Sequence, residues 1–144
     1  MPMPQTYFMA SREFDAFISD VRNTCMLQTH HQAYHTLRAV LHTFRAHLSP
    51  QDALDFAGVL PAVARAIFVE DRKLADTGPV PFPGRTALVA EVKSVRRDHN
   101  LAPESAISDV AAALRRSSID GRALDLVLDR LPGGAREYWD PQMD

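Results

Sequence analysis

Apolar residues recur along this chain at intervals of three and four, and the strict alternation of a half-buried strand is almost absent. Phe14, Phe17, Ile18, Val21 and Cys25 form one stripe, which predicts a helix that Ser11 could cap. Thr29 followed by Gln32 has the form of a capping box and opens a second helix, with Tyr34, Leu37, Leu41, Phe44 and Leu48 at helical spacing. Ser49-Pro50-Gln51-Asp52 combines a hydroxyl cap, a first-turn proline and an acid near the positive end of the helix dipole. A third helix therefore starts there and carries Leu54, Phe56, Ala57 and Leu60. Pro61 must interrupt it, which leaves Ala62 to Val69 as a short further helix. Residues 73–84, KLADTGPVPFPG, hold three prolines and two glycines without a helical period and read as a linker.

Beyond that linker the pattern returns. FISDVR (17–22) aligns with LVAEVK (88–93) at a shift of 71, and AYHTLRAVL (33–41) with AISDVAAAL (106–114) at 73. ALD (53–55) recurs at 123–125, shifted by 70, and LPAVARAIF (60–68) returns as LPGGAREYW (131–139), shifted by 71. Four blocks in the same order predict an all-α fold: a helical bundle built from two tandem related three- to four-helix units. Their expected bounds within a single domain, 1–144, are about 11–72 for unit one, 73–84 for the linker and 85–140 for unit two. By the same pairing Trp139 matches Phe68, which makes it a core or interface residue.

Composition narrows the class without naming a function. A chain of 144 residues can bury roughly 70% of its unfolded surface without metal or disulfides. The net charge of −2 creates no global attraction to nucleic acid or an anionic membrane. No apolar run approaches the ~18 residues that span a bilayer, and the N-terminal stretch lacks a basic and then apolar leader. The lone cysteine, Cys25, fits a reducing compartment and sits where a small hydrophobe would. These features together predict a cytoplasmic protein.

The same blocks carry a resemblance. AYHTLRAVLHTFRAHLSPQDALDFAGVLPAVARAIF (33–68) resembles the first half of the bacterial domain-of-unknown-function family DUF2267, with its Ala-Tyr, Arg-Ala-Val-Leu and Leu-Pro elements. ALDLVLDRLPGGAREYW (123–139) is similar to that family's C-terminal block, and the likeness spans most of residues 12 to 140. The chain departs at Phe68 to Lys73, FVEDRK, where many members have a tyrosine and a Gly-Trp. The resemblance implies an all-helical duplicated domain and implies no reaction.

Chemistry concentrates in residues 29–48, which hold five of the six histidines. His31, His35, Arg38, His42 and Arg45 fall within a sector of roughly 80° beside the apolar stripe, while His30 and His47 point elsewhere. A metal site could use His31 and His35 at i, i+4, but HExxH lacks its glutamate here and no third ligand lies nearby, so no metal is expected. A polyanion face could use the two arginines and three histidines. A solvated edge could pair instead with Asp52, Asp55 or Asp20, and would gain charge on mild acidification with histidine pKa values near ~6.5. The repeated Leu-Pro-x-x-Ala-Arg element sets Arg65 and Arg136 as a pseudo-symmetric anion-binding pair or as two helix-end braces. Ser117-Ser118 reads as a cap, and Gly133-Gly134 as a turn without phosphate-loop context.

No titratable pair at a workable spacing stands out, so neither an enzyme nor a cofactor is expected. The preferred expectation is a protein-interaction or scaffold module, binding a protein partner or itself, with Val80, Pro81 and Phe82 as further candidate contacts. The alternative is a module for an anionic ligand or nucleic acid through the stripe from His31 to Arg45, nucleic acid being the less favoured ligand.

Overall fold

A computed structural model describes residues 3–74, 77–95 and 102–143; Ala75 and Asp76 of the expected linker, residues 96–101 of the expected second unit, and the terminal residues 1, 2 and 144 lie outside them. The described residues form helices and no strand: α1 (Gln5–Phe8), α2 (Ala10–Thr24), α3 (His30–Arg45), α4 (Pro50–Ala57), α5 (Ala62–Val69), α6 (Arg85–Ser94), α7 (Ala106–Arg116), α8 (Gly121–Arg130) and α9 (Ala135–Tyr138). They pack as a bundle.

Local chemistry sets most of the ends. Thr29 accepts from the Gln32 amide while the Gln32 side chain returns to the Thr29 amide, so the capping box forms as read. Ser49 caps α4 with Pro50 in its first turn, and α5 covers Ala62–Val69, with Pro61 at its N-cap. Two expected caps differ. Met9, not Ser11, precedes α2, because the chain already turns through α1 at that point. Ser117 closes α7 by donating to the Leu114 carbonyl at 2.6 Å, while Asp120 caps α8 by accepting from the Arg122 and Ala123 amides.

α3 is the centre of the bundle and packs against α2, α5, α6 and α7. Thr36, Leu37 and all of residues 39–44 are buried, so the second half of α3 has almost no solvent face. The Phe44 ring lies 4.7 Å from Phe56 and 5.0 Å from Tyr138, and Trp139 stacks on Phe56 at 5.5 Å. Trp139 is thus a core residue. Tyr138 ties the C-terminal turn to this centre, its hydroxyl donating to the Val40 carbonyl at 2.6 Å. Across the bundle Arg116 of α7 grips both oxygens of Asp20 on α2, at 2.8 and 2.9 Å, which holds that carboxyl below its ordinary range.

Burial at the paired sequence positions is informative block by block. Phe17 and Leu88 are each 4% exposed, and Val21 and Val92 are both sealed in the core. The ALD block behaves differently: Leu54 is exposed at 63% whereas Leu124 is fully buried. A shift of 71 instead pairs Ala53 with Leu124 and Ala57 with Leu128, all of them buried.

The proline-rich segment does more than bridge. Phe82, partly buried, packs against the core beside Phe44 and His47, at 5.4 and 4.9 Å. Gly134, at φ 101°, lies directly under it; a Cβ there would sit 2.5 Å from that of Phe82, so glycine satisfies both the backbone and the packing.

Candidate functional site

The stripe on α3 does not end as a wet edge. His31 is exposed and His35 half-buried, their rings 4.4 Å apart, but from Arg38 onward the stripe is pressed against the end of α5. Arg38 Nε donates to Glu70 at 3.1 Å and its Nη2 to Asp71 at 3.2 Å. Tyr34 donates its hydroxyl to the same Glu70. His42 Nε2 lies 2.8 Å from the Ile67 carbonyl, which only accepts, so that nitrogen carries the proton. Arg45 Nη1 donates to the Phe68 carbonyl at 2.9 Å and to the Glu70 carbonyl.

These carbonyls lie at a helix C-terminus, the negative end of its dipole, where the ladder of helical partners runs out; Ile67 also accepts from the Glu70 amide at 3.2 Å. The acids suggested by sequence are occupied elsewhere: Asp55 accepts from Gln51 and Asp20 from Arg116, while Asp52 sits in the first turn of α4. Burial also overturns the expected acid-sensitive surface at one member of the stripe. His42 is 9% exposed, and its pKa is lowered to about 4, chiefly by burial, with the charges of Arg45 and Arg38 adding to the effect.

Charge is shared unevenly here. Arg38 takes both carboxylates, while Arg45 donates to the Phe68 and Glu70 carbonyl oxygens. Asp71 sits at φ 56° and turns the chain back after α5, so that Arg72 Nη2 donates to the Leu48 carbonyl at 3.1 Å. The Arg72 Nη1 is shut off from solvent and has no acceptor among the described residues. Burial together with the charges of Arg72 and Arg38 pushes the Arg45 pKa down, against a smaller opposing pull from Asp71 and Glu70.

Arg45, Arg72 and Lys73 stand around a cavity of about 560 Å³ between the end of α3 and the segment that follows α5. Among the described residues no acidic side chain lines it. His47 anchors the far wall, with Nδ1 2.8 Å from the Val80 carbonyl and Nε2 2.8 Å from Glu91 on α6. The cavity thus gathers His42 and Arg45 from the predicted stripe, and adds two cations that sequence reading passed over. Their only sequence signal was a pair of basic residues, Arg72 and Lys73, following an acidic pair.

The other candidates fall elsewhere. Arg65 braces the end of α4, donating to the Ala57 and Leu60 carbonyls at 2.9 and 3.2 Å, while Arg136 pairs with Asp129 at the surface. Each therefore bonds inside its own half of the chain. Cys25 is buried, and burial, assisted by Asp109, pushes its thiol up to about 12, far from nucleophilic use. Among the described residues no three histidine, cysteine or acidic side chains cluster to hold a metal. None of their helices is long and apolar enough to cross a membrane.

A bundle of this kind, carrying a basic helix folded onto its neighbour's C-terminus, also has a sequence family. Residues 14–138 match the family described as an uncharacterized conserved protein, DUF2267, and the chain belongs to that family. No curated protein matches the chain.

The depressed His42 pKa has a defined pH consequence. The unfolded chain takes up a proton near the ordinary value of 6.5, while the folded chain does so only near 4. Between those values the unfolded state holds the extra proton. Stability should therefore fall as pH drops through this window, by up to ~1.4 kcal/mol per pH unit from this group, with no contribution above it. Thermal melts of the wild type and of His42→Gln across the window check this: the variant should lose that part of the slope. Equal slopes in the two proteins contradict it.

Proposed function

We propose that this protein is a non-catalytic binding module whose ligand carries a phosphate group, held in the cavity formed by Arg45, Arg72 and Lys73. The observation that carries the reading is Arg72 Nη1, a buried donor on a cation with no acceptor among the described residues. Leaving such a donor unmatched costs about 1–3 kcal/mol, more for a charged group, and the guanidinium that bears it lines the cavity, where an anion would offset that cost. Three cations, with no acidic side chain among the described residues of the wall, suit a dianion better than a singly charged carboxylate. The reading keeps the anionic-ligand alternative drawn from sequence, and moves it from the exposed histidines to the far end of α3.

Titration calorimetry with inorganic phosphate tests it. Saturable binding that weakens about tenfold in Arg72→Met, and weakens with added salt, is expected. Absence of saturable heat, or affinity unchanged in Arg72→Met, contradicts the proposal.

A protein-interaction role, the other reading from sequence, has separate support at the N-terminus. Met3, Tyr7 and Phe8 are 61%, 54% and 73% exposed, an apolar group on α1 that a second copy could cover. The paired burial of Phe17 with Leu88 and of Ala57 with Leu128 likewise supports reading the chain as two related units. Light scattering tests the interaction: a mass above 16.0 kDa that reverts in Phe8→Ser supports self-association through α1, and a monomeric mass in the wild type removes it.

A further inference from the structure

Resting on the phosphate reading above, we propose that the ligand is a phosphomonoester carrying a short aliphatic chain. The cavity is two-sided. Its cations lie where α3 meets the turn after α5, whereas Leu48 and Pro50 line it from the start of α4, and Leu74 and Val80 from the segment opposite. Leu74 and Val80 are 68% and 66% exposed, so two large apolar side chains face water beside a charged pocket. Neither is needed to bury the core, which already has Phe82 from the same segment. The backbone of Val80 is held in place by its carbonyl's bond to His47, so this wall is fixed before any ligand arrives.

A bare phosphate satisfies the cations and leaves Leu74 and Val80 wet. Each methylene withdrawn from water against them strengthens binding by up to about fourfold. A volume of about 560 Å³ also fits an organic ligand better than a lone oxyanion. A nucleoside fits poorly. Among the described residues the only aromatic ring lining the cavity is the His42 imidazole, which is 9% exposed, so a base has almost no aromatic face to stack on.

Calorimetry with hexyl phosphate, inorganic phosphate and adenosine monophosphate tests the chain, with vesicles containing phosphatidic acid as a fourth arm. Hexyl phosphate should bind at least tenfold tighter than inorganic phosphate, and adenosine monophosphate no tighter than inorganic phosphate. The double variant Leu74→Ser, Val80→Ser should lose most of the hexyl advantage, its ratio of hexyl to inorganic phosphate affinity falling towards one. Both positions are exposed, so the variant keeps its fold. Equal affinity for the hexyl and inorganic forms, or tightest binding to adenosine monophosphate, overturns the aliphatic chain while the phosphate site stands. Binding to the vesicles without binding to hexyl phosphate overturns it in favour of a lipid surface. Failure of every phosphate compound to bind removes the site itself.

Discussion

The fold turns on one constraint: α3 is buried on nearly all sides in its second half, yet that half carries His42 and Arg45. A buried guanidinium or imidazole with no acceptor would cost more than the surrounding apolar contacts return. The C-terminus of α5 resolves the conflict, because its last carbonyls are short of helical partners and have lone pairs to spare. Ile67, Phe68 and Glu70 offer oxygens at the spacing where His42 and Arg45 need them. Two deficits cancel, and the short helix α5 is locked against the central one.

The same solution leaves a residue of charge. Glu70 and Asp71 both turn toward Arg38, so the carboxylates are spent on one side of the contact. On the other side Arg45 and Arg72 donate to backbone oxygens, Lys73 stands beside them on the cavity, and Arg72 keeps one donor without an acceptor among the described residues. The binding site proposed above is a direct consequence of how α3 is packed. Two of its three cations, Arg72 and Lys73, come from the FVEDRK segment.

Helix placement was legible because it rests on local rules. The Thr29–Gln32 box, the Ser49-Pro50 start and the Pro61 break each act within four residues, and all three are found. The fate of the histidine stripe was not legible. Which acid meets Arg38 depends on a contact 32 residues away, and a helix C-terminus offers carbonyls that leave no mark in residue type. Helical spacing placed His42 on a polar face correctly, but could not show that another helix end covers that face. Leu54 and Leu124 give a similar lesson, since identical residues in the two ALD blocks end on opposite sides of the surface.

Amide-resolved NMR during titration with inorganic phosphate measures the central claim most directly, because it reports where charge is under-compensated. Shifts concentrated at residues 42–50, 72–74 and 77–80 are predicted, with the exposed surface around His30, His31 and Tyr34 unmoved. Shifts centred on that histidine surface, or spread evenly over the basic residues, would contradict the account.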